Sequence, residues 1–279
     1  MQAASVHDIA GRLDALPVTP LHAAVVLLCA LGFLFDVAEA ALSNALSAVF
    51  SAPPHAVASY QLSLLLGSVF AGGAIGAPLL GWFADRKGRR LSLMVSLLIL
   101  AVTSTLAAWS PDVTWLTFFR VLSGLALGAY PPLMVAYLSD LMPPGRRGML
   151  IMICGAIGFL GAPAVVFLIR WLTPLMPLGL DGWRWALAIG AVGSLVTGVL
   201  MRWLPESPRW LVTVGRDVEA EAVCRRFEGS AGLKAAPASG AAVAAIPLHA
   251  TAAKSEDGFW SAAGGRHRVR AVLLGVLYS

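Results

Sequence analysis

The sequence has very little charge for its length. Only 13% of its 279 residues are charged, whereas 58% are hydrophobic. Soluble globular domains carry about a quarter charged residues. The low charge excludes an ordinary soluble protein and predicts a polytopic membrane protein whose surroundings are the lipid bilayer. The net charge of +5 does not indicate nucleic-acid binding, because the cations stand in short loops between apolar runs.

Cysteine is also scarce, and the residue sets that support enzyme chemistry are missing. Cys29 and Cys154 lie in apolar runs, and Cys224 lies in a polar segment. Three dispersed cysteines form neither a disulfide framework nor a zinc motif. We find no metal-ligand cluster, no nucleophile with a nearby base and no phosphate-binding loop. The sequence therefore predicts no enzyme activity, no cofactor and no metal.

Long apolar runs are the feature that the chain has in abundance. A membrane-spanning helix needs about 20 mostly apolar residues. The runs that meet this length predict six spans at residues 21–50, 58–84, 91–110, 115–141, 148–172 and 183–204.

The loops between these runs differ in charge. Residues 51–58 and 110–114 contain no Lys or Arg, whereas 85–90 contain four and 143–148 contain two. Loops rich in Lys and Arg stay in the cytoplasm. This pattern predicts a cytoplasmic N-terminus in a multi-pass protein of the plasma membrane, the inner membrane of a bacterium.

The regions outside the six spans are organised in three parts. Residues 1–20 form an N-terminal cytoplasmic segment in which Ile9, Leu13 and Leu16 share one helical face, as in a helix at the membrane interface; a partner-binding helix is the alternative. Residues 212–265 are expected to be a cytoplasmic linker following the bundle at 21–211. Residues 266–279 have the pattern of a seventh span too short to cross the membrane, so we expect a truncated protein whose second half is supplied in cis or in trans.

Several motifs identify a family. Residues 81–90 read G-x-x-x-D-R-K-G-R-R, residues 120–128 read R-x-x-x-G-x-x-x-G, and residues 205–211 read P-E-S-P-R-W-L. Together with 139–148 and 215–220, they occur in the order and places found in sugar-porter-like members of the major facilitator superfamily of secondary transporters. The resemblance covers about 17–215 and resumes at 266–278. It implies an all-α integral membrane protein, the six-helix N-terminal bundle of that fold with the start of a seventh helix.

The resemblance also implies a cytoplasmic gate of charged residues and glycines. Opposite charges at the inner face would form a network that closes the gate in one of two conformations, whereas the alternative is a solvated loop that only sets topology. The predicted gate residues are Gly81, Asp85, Arg86, Gly88, Arg89, Asp140, Arg147, Glu206 and Arg209.

Three ionisable residues fall inside predicted spans. Asp36 and Glu39 share a helix face, and Arg120 lies within the fourth span. Charges at membrane depth are rare and commonly mark proton or substrate pathways. The carboxylates resemble the D-x-x-D motif of aromatic-acid/proton symporters, with Glu39 in the second position. Arg120 is expected to meet an anionic solute or to pair with Asp36; in the alternative reading, one carboxylate simply pairs with a cation.

These observations predict a secondary active transporter, most simply a proton-coupled symporter of a small organic solute. The fifth span is almost purely apolar, which favours an organic anion over a sugar. The alternative is a half-transporter that does not transport without a second half or a partner chain. The predicted partners are therefore the bilayer, the solute and protons, and no nucleic acid.

Overall fold

The computed structural model describes residues 6–51, 53 and 57–232, which belong to one compact unit. The predicted start of a seventh span, and the predicted linker beyond residue 232, lie outside these residues. Within the described part every regular element is helical. The α-helices are α1 (Val6–Asp14), α2 (Pro20–Ser51), α3 (Ser59–Lys87), α4 (Arg89–Ala108), α5 (Val113–Leu127), α6 (Tyr130–Leu141), α7 (Pro144–Phe159), α8 (Gly161–Leu175), α9 (Gly182–Leu200), α10 (Pro208–Thr213) and α11 (Asp217–Ser230).

Six stretches of helix are long and apolar enough to cross a membrane, which confirms the predicted number. They are Pro20–Ser51, Ser59–Lys87, Arg89–Ala108, Val113–Leu141, Pro144–Leu175 and Gly182–Trp203. Short 3₁₀ turns occur at Pro177–Gly179 and Met201–Trp203. The fold is therefore a six-helix bundle, with α1, α10 and α11 outside the spans.

The fourth and fifth spans are each built from two helices, whereas the sequence predicted single ones. The break between α5 and α6 falls at Gly128 and Ala129, just before Pro131 and Pro132. Proline has no N–H to donate to the carbonyl four residues earlier, so the helical ladder is interrupted there. Pro163 has the same effect at the α7–α8 break.

The predicted loop at 85–90 is wrong in its length. α3 continues to Lys87 and α4 begins at Arg89, so Gly88 alone connects the two spans. Its φ of 107° and ψ of 157° lie in a region that is essentially reserved for glycine. A single glycine can therefore reverse the chain, and the charged residues on both sides become helical.

The backbones of α3 and α5 are in close contact. This contact places α5 in the interior of the bundle. A Cβ atom on Gly72 would lie 2.9 Å from Gly124 Cα and would collide with the Val121 carbonyl. Glycines spaced four apart allow this approach between membrane helices. Gly124 therefore has a packing function, and the approach places the neighbouring Arg120 inside the bundle.

The apolar face of α1 was expected to be that of a helix at the membrane interface. Ile9, Leu13 and Leu16 are buried in the same core cluster as Trp210 and Phe227, and α1 packs against α10 and α11. The apolar face therefore docks on protein. The sequence showed that this face would be buried, but not which surface would cover it.

Candidate transport site and charge cluster at the span ends

An ion pair inside the bundle joins α2 to α5. The Arg120 guanidinium donates through Nη1 to Glu39 Oε1, and Nη2 donates to the Glu39 carbonyl and to Ser43 Oγ, both at 2.6 Å. Arg120 is 0% exposed and Glu39 is 2% exposed. Glu39 and Ser43 lie one turn apart on α2, so one planar guanidinium reaches both.

Asp36 lies one turn before Glu39 and has no such cation. It is 4% exposed, and its Oδ1 has no hydrogen-bond partner among the described residues. The predicted pairing of Arg120 with Asp36 is therefore wrong in this conformation, because Arg120 pairs with Glu39. The three residues do gather in one region of the bundle, as their positions in the spans indicated. Ser43 was missed, although its spacing of four from Glu39 was a usable signal.

The Glu206 carboxylate connects the end of the sixth span to the start of α4. Its Oε1 accepts from the backbone N–H of Arg90 at 2.9 Å and from that of Ser207 at 3.0 Å. A carboxylate at a helix N-terminus satisfies free N–H groups and complements the helix dipole. Gly88 lies against this carboxylate, and Trp210 Nε1 donates to the Asp85 carbonyl at 2.9 Å. Glu206 thus acts through backbone groups instead of the predicted arginines.

Arg86 and Arg89, which flank Gly88, contact neighbouring residues of the sequence. Arg89 pairs with Asp85 at 2.7 Å within one exposed turn, and the Arg86 guanidinium lies 4.1 Å from the centre of the Trp82 ring. A Cβ atom on Gly81 would contact no atom within 4 Å, so close packing does not explain that glycine.

A second group of contacts involves the remaining predicted gate residues, two of which reach α1. Arg209 Nη2 donates to Asp14 Oδ1 at 2.6 Å, and Arg147 Nη2 lies 3.9 Å from the same oxygen. Asp140 Oδ2 accepts from Ser207 Oγ at 2.7 Å. Asp14 was missed because it lies 195 residues before Arg209, and nothing in the local sequence connects the two.

Arg12 provides a further tie between α1 and α11. Its guanidinium contacts Glu221 at 2.7 Å and Glu228 at 2.8 Å. The hydrogen bond to Glu221, followed by that to Glu228, raises the pKa of Arg12, and the same Arg12 contact lowers the pKa of Glu221. Burial raises the pKa of the neighbouring Cys224 thiol to about 11. The α1–α11 contact is therefore a charged clamp over a buried apolar cluster.

These features define the class of the protein: a six-span helical bundle with a buried ionic site at membrane depth and charged helices at one end. The comparisons agree with this class. The model of the sugar (and other) transporter family matches residues 23–279. The chain therefore belongs to that family, a family of transporters and not of enzymes.

Individual relatives give the same assignment. The chain is 32% identical over 222 residues to the arabinose-proton symporter of Bacillus subtilis, covering 76% of this chain and 47% of that protein. It is 26% identical over 271 residues to the niacin transporter NiaP of Acinetobacter baylyi, covering 97% of this chain and 59% of NiaP. The chain thus spans about half the length of the curated relatives it matches.

A solved structure gives the fold. The chain aligns with the partially occluded inward-open xylose transporter XylE from E. coli with a TM-score of 0.66 and 25% identity, over 75% of this chain and 56% of that one. A second XylE structure, described as a major facilitator superfamily proton:xylose symporter, aligns with a TM-score of 0.67. The fold is that of the N-terminal half of this superfamily.

Proposed function

We propose that this chain forms half of a secondary active transporter that couples proton movement to symport of a small organic solute. One observation carries the proposal. Inside the membrane, Arg120 is bound to Glu39, while Asp36, one turn away, has a buried oxygen with no hydrogen-bond partner in the part of the chain that the structure describes. Ionisable residues in such positions are costly and are typical of proton and solute pathways. A relative named as an arabinose-proton symporter supports the coupling.

Asp36 is the proposed proton carrier. A buried carboxylate without a cation bears the cost of losing its hydration, and binding a proton removes that cost. Glu39 is different, because Arg120 compensates its charge. Asp36 therefore exchanges the proton as the site opens to each side, and the protonation state of Asp36 biases the equilibrium between the two conformations.

The proposed solute is a small organic anion. Arg120 is compensated by Glu39 in this conformation, so an anion binds only by replacing the Glu39 carboxylate on the guanidinium. A proton passed from Asp36 to Glu39 would release Arg120 for that exchange, which would couple anion binding to the proton that Asp36 carries. A neutral sugar needs no such release. Competition of uptake by niacin and by arabinose, the solutes named for two relatives, distinguishes these solute classes.

The contacts of Glu206, Asp140, Arg209 and Arg147 are the proposed inner gate, together with Gly81, Asp85, Arg86, Gly88 and Arg89. We place this end of the bundle, and the N-terminus, in the cytoplasm of a cell whose plasma membrane holds the protein; in a bacterium this is the inner membrane. Exposed ion pairs contribute only about 0–1 kcal/mol each. Their sum is nevertheless enough to bias a two-state equilibrium.

Alternating access requires a second half. The relatives are about twice as long as the matched region, and major facilitator transporters move two halves about a midplane site. A second six-helix half in cis or in trans is therefore part of the proposal. If this chain alone accumulates the solute at the rate of the complete transporter, a homodimer replaces that second half. If only the complete transporter accumulates it, this chain is a half that does not transport alone.

The decisive experiment uses the complete transporter in proteoliposomes with an imposed pH gradient. Asp36→Asn is expected to abolish proton-driven accumulation while retaining solute exchange without a gradient, because the solute site remains. The matched control is Asp112→Asn, which changes the N-cap residue of α5 in a loop between spans. This variant is expected to keep proton-driven accumulation. Accumulation by Asp36→Asn at the wild-type level contradicts the proton role.

A further inference from the structure

A strongly cationic pocket lies where the sixth span ends. It has a volume of about 420 Å³, and three guanidinium groups line it, those of Arg90, Arg202 and Arg226. Among the described residues, no carboxylate lines the pocket, and none of these three arginines forms an ion pair. The pocket thus concentrates positive charge that the described chain leaves uncompensated.

Backbone carbonyls hold two of the guanidinium groups. Arg90 Nη1 donates to the carbonyls of Leu204 at 2.7 Å and Arg202 at 3.2 Å, and Arg226 Nη2 donates to that of Trp203 at 2.8 Å. Carbonyls orient a guanidinium without neutralising it, and each guanidinium has five N–H donors, so further donors remain. The nearby Glu206 carboxylate is occupied by the N–H groups of Arg90 and Ser207. Two of the three guanidinium groups are therefore oriented before any ligand binds.

The position of the pocket selects the kind of anion. Trp203 ends the sixth span, is 65% exposed and lines the pocket. Tryptophan is enriched at the level of lipid headgroups. Basic pockets at this level recognise phosphate-bearing lipid headgroups, and guanidinium groups match phosphate oxygens in pairs.

We infer that this pocket binds the phosphate group of an anionic phospholipid. The headgroup would hold together the start of α4, the end of the sixth span and α11, which contribute Arg90, Arg202 and Arg226. The site is separate from the ionic site at Glu39 and Arg120. The bound headgroup would lie next to the contacts of Glu206 with Arg90 and Ser207.

The test measures lipid bound to the complete transporter. The protein is reconstituted in equal amounts of phosphatidylglycerol and phosphatidylcholine, purified in polymer nanodiscs, and its retained lipid is quantified by mass spectrometry. The double variant Arg202→Gln/Arg226→Gln is expected to lower phosphatidylglycerol enrichment by about fivefold per guanidinium, the effect of one cation near a membrane surface. Arg202→Lys/Arg226→Lys keeps the charge and is expected to retain most of the enrichment, which separates charge from folding.

The matched control is Arg216→Gln/Arg225→Gln. It removes the same charge from the same region, but these arginines pair with Glu219 and Glu221. Unchanged enrichment in this control, with loss in the pocket variant, supports the site. Absence of enrichment in the wild type, or equal loss in both variants, overturns it. If inorganic phosphate raises the thermal stability of lipid-free protein while phosphatidylglycerol is not enriched, the pocket holds soluble phosphate and the lipid inference is wrong.

Discussion

The Glu206 carboxylate accepts a hydrogen bond from the backbone N–H of Arg90, 116 residues earlier, at 2.9 Å. This contact joins the segment after the sixth span to the first turn of α4. Gly88 lies directly against the same carboxylate, so the only residue between α3 and α4 must be one without a side chain.

Replacing Gly88 is therefore expected to be costly. Gly88→Ala puts a methyl group against the Glu206 carboxylate, 3.2 Å from Trp210 Cζ3, and forces alanine to a φ of 107°. Such backbone strain costs about 1–3 kcal/mol. Gly81→Ala is the control, because its Cβ meets nothing within 4 Å and alanine favours the helix. Thermal unfolding in detergent should show a lower midpoint for Gly88→Ala only; equal midpoints would refute the steric argument.

A double-mutant cycle can measure the coupling of Glu39 to Arg120. Removing one member of a buried ion pair typically costs about 3–5 kcal/mol, because the other charge is left without a partner. Glu39→Gln should therefore destabilise the bundle strongly, and Glu39→Gln/Arg120→Gln should be more stable than the sum of the single effects. Ser43→Ala removes one neutral acceptor and should cost about 1–3 kcal/mol. If the changes in unfolding free energy of the two single variants add up to that of the double variant, the pair is not coupled.

The clamp between α1 and α11 should depend on pH. Arg12 lowers the pKa of Glu221 below its ordinary value of 4.5, so the stabilisation is present above that value and is lost as pH falls through the lower, folded-state pKa. Arg12→Gln should reduce the difference in thermal midpoint between pH 7 and acid pH, with an effect of about 1 kcal/mol or less because the pair is partly exposed.

Arg216→Gln is the control for the pH experiment. It breaks an exposed pair with Glu219 on the same part of the chain without touching α1. The same loss of pH dependence in both variants would argue against a specific contribution of Arg12.

The Cys224 thiol can report whether α1 stays docked. Cys224 is buried and its pKa is raised to about 11, so little thiolate exists at neutral pH and maleimide labelling should be slow. Leu13→Asp puts a charge into the apolar contact and should speed labelling of Cys224, measured by mass spectrometry. Val18→Asp, at an exposed position, should leave the rate unchanged. Equally slow labelling after Leu13→Asp would show that α1 does not protect this thiol.

Much of the architecture followed from local pattern. Six apolar runs of sufficient length predicted six spans, because the bilayer imposes length and hydropathy on each helix separately. The breaks in the fourth and fifth spans were not predicted, although the prolines responsible are visible. Neighbouring helices can supply the lost hydrogen bonds at a proline in a membrane helix, so proline alone does not decide whether the helix stops.

The sequence by itself determined that Asp36, Glu39 and Arg120 lie within spans, because each stands inside a mostly apolar run long enough to cross the bilayer. Only the tertiary structure decided that Arg120 binds Glu39 and Ser43, whereas Asp36 pairs with no cation within residues 6–51, 53 and 57–232. The reason is geometric. The close approach of α3 and α5 at Gly72 and Gly124 contributes to where α5 sits, and the choice between two carboxylates one turn apart depends on that position. The pairing of Asp14 with Arg209 was decided in the same way, since only folding brings together residues so distant in the chain.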